Sequence, residues 1–331
     1  MLVLVTGADG FLGSNLVRSL LDKGYSVRAM LQHGRNTGTL DKLDIDKIYA
    51  DLLDLKSLSD AFIGVDVVIH TAAFVSIWPS RNVISRRVNI DGTRNVIDTV
   101  LKTGVKRMIH VGTANTFGFG SKNSPGNETL PYDGYKYGLD YMDTKYAAHS
   151  LVLEAVKNRG LPALIVNPTF MLGPYDSEPS SGAMIVAIYK GKISGFVPGG
   201  RNYIYVKDVA DAIVNAVTLG EVSEAYILGH SNLTYKEIFN LIANTIGVKP
   251  PAIKFPKWLI IFIGALGSAW GRIKGQKPII SYPMSRISCD EHYYDASKAI
   301  SKLKLLQTPI EVAVRESFSW MKEKGFFDKH E

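Results

Sequence analysis

The sequence predicts an α/β protein: a doubly wound parallel sheet carrying a smaller C-terminal substrate lobe. Two observations predict it. Short apolar runs alternate with helix-period patterns from Leu2 to Asn167, the signature of strand–helix–strand units. Glycines three residues apart, Gly7, Gly10 and Gly13, directly follow the first apolar run and open the first helical pattern, a context that turns a weak motif into a phosphate site. Residues 1–171 are expected to form the sheet domain, with 203–228 returning to it; residues 172–202 and 229–331 are expected to form the lobe.

The elements follow in order. Leu2–Val5 is continuously apolar, as suits a strand buried on both faces. In the turn, Gly7 permits tight reversal, Gly10 lets the backbone approach a pyrophosphate and Gly13 lets the helix pack closely, while the free N–H groups of the first helical turn face the anion. Phe11, Leu12, Leu16, Val17, Leu20 and Leu21 recur at helical spacing up to Lys23, and Gly24 stops the helix. Tyr25–Leu31 reads as a second strand. No acid stands at its end to bind ribose hydroxyls; the chain continues Gln32-His33-Gly34-Arg35-Asn36. A 2′-phosphate meets no repulsion there, and Arg28 or Arg35 could pair with it, so NADP is favoured over NAD.

Ile45–Ala50 is a third strand, closed by Asp51-Leu52. Ser57–Phe62 is a short helix with a Ser57–Asp60 capping pattern. Val65–His70 is a fourth strand, and the small residues Thr71-Ala72-Ala73 at its end leave room for a cofactor. Asn82–Thr103 reads as one long helix, Val105–Gly112 as a fifth strand, and Thr113–Gly138 as a loop over the carboxyl ends of the strands, where ligands bind in this architecture. Leu139–Lys157, free of Gly and Pro, is a helix ended by Gly160; Leu161–Asn167 is a sixth strand leading into Pro168-Thr169. Further on, Val206–Leu219 and Thr234–Ile246 read as helices, the latter with the capping box Thr234–Glu237.

The chain of 331 residues is 46% hydrophobic, enough for a large core without staples. Its single cysteine, Cys289, leaves no intramolecular disulfide, which fits a reducing compartment and a cytoplasmic protein. The first residues lack a basic leader, so no signal peptide is expected. The net charge is +7, yet the basic residues read as scattered, without a dense run or a nucleic-acid-binding signature; a basic surface favouring an anionic cofactor is expected, with no nucleic-acid partner and no metal.

Reduction of a carbonyl needs a proton donor for the developing alkoxide, and a Tyr hydroxyl serves if a nearby cation lowers its pKa. Tyr-x-x-x-Lys places both groups on one helix face. The sequence has four such pairs: Tyr132/Lys136, Tyr141/Lys145, Tyr203/Lys207 and Tyr294/Lys298. The first is interrupted by Gly134 beside Pro131. The third lies in a strand-like stretch, where i and i+4 are far apart. The fourth straddles an N-cap expected at Asp295. Only Tyr141/Lys145 lies inside a long helix, and Thr113 at the end of the fifth strand is the natural third hydroxyl.

Together, Thr6–Gly13, Asp51-Leu52, His70–Ala73, Asn89–Thr93 (NIDGT), Thr113–Gly118, Tyr141/Lys145 and Asn167–Pro174 resemble the extended short-chain dehydrogenase/reductase family, built on a Rossmann domain, over nearly the whole chain. The resemblance implies Tyr141 as catalytic acid/base, Lys145 as the ribose-binding cation that lowers the Tyr pKa, and Thr113 orienting the substrate oxygen. It further implies cofactor contacts from Gly7, Asp9, Gly10, Phe11, Leu12, Gly13, Gln32, Arg35, Asp51, Leu52, Thr71, Ala72, Ala73, Pro168 and Thr169, and a homodimer. Thr113 stands where many members have Ser, and Asn167 where an arginine is often found.

Within that family the chain looks more like the dihydroflavonol reductases and 3β-hydroxysteroid dehydrogenases, which act on apolar alcohols or ketones, than like the nucleotide-sugar epimerases and dehydratases. The missing acid after Leu31 and the apolar stretch Trp258–Trp270 favour the first branch; Arg201, able to clamp a pyrophosphate, keeps the second open. A dinucleotide-binding protein without catalysis would be expected to lose Tyr141 or Lys145. The apolar stretch is too short for a membrane span. It suits a pocket-lining helix, a buried or subunit contact, or a peripheral membrane contact flanked by Lys254, Lys257, Arg272 and Lys274.

Overall fold

The computed structural model describes residues 1–328. The first half alternates as expected: β1 (Leu2–Thr6), α1 (Phe11–Asp22), β2 (Ser26–Leu31), β3 (Asp46–Tyr49), α2 (Leu55–Ala61), β4 (Val67–His70), α3 (Val83–Arg86), α4 (Gly92–Thr103), β5 (Arg107–Val111), α5 (Asp140–Arg159), β6 (Ala163–Pro168) and β7 (Phe170–Leu172). The second half adds α6 (Ala183–Tyr189), β8 (Gly195–Phe196), β9 (Gly200–Tyr205), α7 (Val206–Leu219), β10 (Ala225–Leu228), β11 (Ser231–Thr234), α8 (Tyr235–Ile246), β12 (Ile253–Lys254), α9 (Lys257–Lys274), α10 (Tyr282–Ser288), β13 (Glu291–His292), α11 (Ser297–Leu303) and α12 (Ile310–Glu323).

Seven strands form one parallel sheet in the order β10-β6-β5-β4-β1-β2-β3. Alternate residues of β1 feed two cores: Val3 and Val5 pack with α1 and α7, and Leu4 packs with residues of α2, α4 and α5. This two-sided burial explains why β1 reads as an unbroken apolar run. The strand order reverses beside β1, which lies between β4 and β2, and a crevice opens there at the carboxyl ends.

Several local details differ from expectation. Helix α2 starts two residues before Ser57, capped by Asp54, whose carboxylate accepts from the Lys56 N–H at 3.0 Å. The Ser57 hydroxyl bonds the backbone of Asp54 and Asp51 instead. The helix expected over 82–103 is capped by Asn82 and runs through a π turn at Arg87–Asp91 before continuing as α4. Of the segment 203–228, α7 and β10 join the main sheet layer, whereas β9 pairs with β7, β11 and β13 in a separate small sheet. Thr234 caps α8 in a full box with Glu237, as its sequence predicts.

Candidate active site

The turn after β1 has the geometry its glycines foretell. Gly7 sits at φ +64° and accepts from the Gly10 N–H at 3.1 Å. A Cβ on Gly13 would lie 2.1 Å from the Gly7 carbonyl oxygen, so α1 can approach the turn after β1 this closely only with hydrogen there. The N–H groups of Phe11, Leu12 and Gly13, in the first turn of α1, have no acceptor four residues back within the helix. They point the positive end of α1 toward the crevice.

A buried polar network fixes the opposite wall. Thr93 donates to the Asn89 carbonyl at 2.7 Å, so it accepts from His70 Nε2 at 3.2 Å, and His70 Nδ1 accepts from the Thr6 hydroxyl at 2.9 Å. Burial pushes the His70 pKa down to about 3, so the ring is neutral, as this bonding pattern requires. Thr6 also receives the Ala72 N–H, and Thr71 donates to the Thr6 carbonyl. The Asn89 side chain bonds both backbone groups of Phe74 and the Thr144 hydroxyl of α5. The NIDGT stretch thus acts as a bracket that ties the end of β4 to β1 and α5.

Between these walls lies a cavity of about 1230 Å³. Its lining includes Gly7, Asp9, Gly10, Phe11, Gln32, Arg35, Asp51, Leu52, Thr71–Ala73, Thr113, Tyr141 and Thr169. Four expected residues stand behind that surface. Leu12 is buried in the core beneath α1, Gly13 packs on Gly7, Pro168 is paired with Leu228 inside the sheet, and Lys145 is buried with its ammonium donating to the Val111 carbonyl at 2.7 Å. Arg28 does not reach the crevice: it pairs with Asp46 at 2.6 Å and caps the carbonyls of Ala61 and Ile63. Arg35 does line the cavity, where it bridges Asp9 in the turn and Glu178 in the lobe, each at 3.3 Å.

Burial raises the pKa of Tyr141; the Thr113 hydroxyl and the positive charge of Arg201 offset part of the rise. Arg201, which the sequence offers as a pyrophosphate clamp, is therefore also a cation that eases ionisation of the phenol. Burial pushes the Lys145 pKa down to about 8. The lysines of the other three Tyr/Lys pairs are engaged elsewhere. Tyr132 donates to Asp143 and Lys136 pairs with Asp133. Lys207 pairs with Glu316, and Lys298 with Glu224.

Sequence reasoning missed the far wall. His292 and Tyr294, from β13 and the residues after it, enter the cavity beside Arg201, with Met284 and Ile287 of α10 and Ile77-Trp78 of the β4 loop. His292 stacks on Phe119 at 4.1 Å, and burial lowers its pKa to about 3. The polar cluster Glu291-His292-Tyr293-Tyr294 before α11 was the available signal. Asn167 lies beneath Gly112, accepting from the Thr116 hydroxyl at 3.3 Å.

Residues 3–229 match the model of the NAD dependent epimerase/dehydratase family. The chain belongs to this family. Among its relatives, "sterol demethylase protein B" of Methylococcus capsulatus is 32% identical, covering 98% of this chain and 99% of that one. A "putative dihydroflavonol 4-reductase" of Synechocystis is 31% identical over 97% and 95%. The solved structure of gox2253 superposes with a TM-score of 0.88 at 29% identity, covering 99% of both chains. A UDP-glucose 4-epimerase of Thermus thermophilus, solved with NAD, shares the fold at a TM-score of 0.77 and 20% identity, covering 97% of this chain and 99% of that one. The extended short-chain dehydrogenase/reductase resemblance and the doubly wound sheet are thus both found, in a family of NAD-dependent oxidoreductases, epimerases and dehydratases.

Proposed function

We propose that this family member is an NAD(P)-dependent reductase, or the reverse dehydrogenase, acting on a ketone, aldehyde or alcohol of a small, largely apolar substrate. The observation that carries the reading is the convergence of Thr113 and Tyr141 in one cavity with the glycine turn, facing the apolar side chains of Ile77, Trp78, Met284 and Ile287. The relatives named for sterol and dihydroflavonol chemistry support the substrate class.

The Gly7–Gly13 turn suits the pyrophosphate of a dinucleotide, because the close Gly7–Gly13 contact sets the free N–H groups of the first turn of α1 at the crevice. Arg35, and the absence of an acid at Gln32, favour a 2′-phosphate and hence NADP over NAD. Such a cofactor, when bound, supplies or accepts the hydride. Tyr141, protonated at neutral pH because burial raises its pKa, donates its proton to the substrate oxygen as that oxygen gains charge. Thr113 holds the same oxygen. Lys145, on the same face of α5, would hold the nicotinamide ribose by turning its ammonium from the Val111 carbonyl toward the cavity. The same reading carries a cytoplasmic homodimer.

A second reading, a nucleotide-sugar epimerase or dehydratase with retained NAD, is favoured by one observation: Arg201 in the cavity wall could clamp a diphosphate. One experiment separates the two. Nucleotide released on denaturation should be sub-stoichiometric, and the protein should then oxidise NADPH with apolar ketones; near-stoichiometric NAD would favour the second reading. Tyr141→Phe should lower kcat by about a thousandfold while leaving dinucleotide affinity within about twofold. Turnover surviving in Tyr141→Phe would remove the tyrosine from its assigned role.

A further inference from the structure

Helix α9 turns its apolar side chains away from the protein. Trp258, Phe262, Leu266, Trp270 and Ile273 lie on one face, at i, i+4, i+8, i+12 and i+15. All are exposed, Trp258 to 69% and Ile273 to 76%. The opposite face is made of small residues: Gly264, Ser268 and Gly271 are buried, and a Cβ on Gly264 would lie 2.4 Å from the Ser285 hydroxyl of α10. The connection that follows adds Ile279, which is fully exposed. No helix among the described residues is long and apolar enough to cross a membrane.

The charge along this stretch of the chain is one-sided. From Ile238 to Cys289 the chain carries no Asp or Glu and seven basic residues: Lys249, Lys254, Lys257, Arg272, Lys274, Lys277 and Arg286. That equals the net charge of the whole chain, +7, so the remaining residues carry 31 charges of each sign. The positive excess is therefore carried by this one stretch of the chain, and Lys257 within it pairs with Asp290 at 3.0 Å. Lys254, Arg272 and Lys274 have exposed side chains at the two ends of the apolar face, and Lys274 lies 5.2 Å from the Trp270 ring.

We propose that the outward face of α9 docks the protein on an anionic membrane surface, with its tryptophans and aliphatic residues at the acyl boundary and its basic ends on the lipid phosphates. An in-plane helix with a broad apolar face, interfacial Trp and basic flanks meets the physical requirements of such a contact. Charge decides the occupant. A second copy of this face would set Lys254, Arg272 and Lys274 against the same three cations, whereas an anionic bilayer complements them. The contact also has a defined position relative to the cavity. Met284 and Ile287 of α10 and Lys277 of the α9–α10 connection line the cavity, and Gly271 backs onto Trp78 in its wall. Docking therefore brings one rim of the cavity to the bilayer. The inference goes beyond the proposed reaction and holds whichever carbonyl substrate is used.

Co-sedimentation of the full chain with vesicles tests it. The protein should pellet with phosphatidylcholine/phosphatidylglycerol vesicles, stay soluble with phosphatidylcholine alone, and be released by salt. Trp258→Glu/Phe262→Glu/Leu266→Glu should weaken binding by at least about tenfold, and Lys254→Gln/Arg272→Gln/Lys274→Gln by about tenfold. A cooperative thermal transition by circular dichroism establishes that each variant is folded; if the glutamate variant is not, the glutamine variant decides. Wild-type protein that ignores phosphatidylglycerol vesicles overturns the proposal, as does a folded variant that pellets like wild type. A glutamate variant that merely converts a dimer to a monomer, with no vesicle binding by wild type, would assign the face to a second copy and overturn it equally.

Discussion

Helices α1 and α9 are both rich in apolar residues and both use glycine for a close contact, yet they are turned in opposite senses. In α1, Leu12, Leu16, Val17 and Leu20 are buried against the sheet and α7, and Gly13 lets the first turn touch the Gly7-Ala8 turn that follows β1. In α9 Gly264, Ser268 and Gly271 are buried and the large side chains face out. Apolar content alone does not say which way a helix faces. What decides it is the surface on offer: β1, β2 and α7 present α1 with a broad apolar wall, whereas α10 presents α9 with a narrow ridge that only small residues can approach.

The contrast can be broken at its strongest point first. Leu16→Ala in α1 removes a fully buried side chain and should lower stability by about 3 kcal/mol in denaturant unfolding. Gly264→Leu in α9 drives a side chain into Ser285 of α10. It should cost about 2 kcal/mol and raise KM more than it lowers kcat, because α10 carries Met284 and Ile287 into the cavity.

A buried charge in the inner half sharpens the comparison further. Burial depresses the Lys145 pKa from 10.5 to about 8, so the unfolded chain binds the proton more tightly than the folded one. The penalty is complete below pH 8 and fades as pH rises toward 10.5. Lys145→Met should therefore abolish turnover yet raise stability by on the order of 1–2 kcal/mol at pH 7. Thermal melts from pH 7 to 10 should show that gain shrinking; a constant gain would mean the lysine is not the titrating group. At the small end, Phe262→Ser on the outer face of α9 should change stability by less than about 0.5 kcal/mol. A larger loss would show that the face is covered in solution.

The inner half was legible because its signals are local. The glycine turn, the Thr234–Glu237 box and the helical setting of Tyr141 and Lys145 each rest on residues within one or two turns of each other. The start of α2 was misread because Ser57 and Asp54 are both capping residue types, and only geometry shows that Asp54 takes the Lys56 N–H. The fate of Arg28 depends on its register partner Asp46, a non-local fact. So does the far wall of the cavity, where Arg201, His292 and Tyr294 come together through the pairing of β9 with β13. The outward turn of α9 was left open among several readings, because periodicity marks a face without giving its direction.

The bracket made by Asn89 has one further consequence. Its carboxamide engages both the N–H and the carbonyl of Phe74, while Thr6 holds Thr71 and Ala72. The chain from Thr71 to Phe74 is anchored at nearly every step, and those anchors come from β1 and from the turn leading into α4. Beyond Phe74, the hydroxyl of Ser76 bonds only the nearby Trp78 carbonyl. Innovation in what the cavity accepts is thus confined to one side of a fixed point: Val75–Trp78 can be rewritten without disturbing the cofactor wall, whereas a change at Asn89 would move both at once.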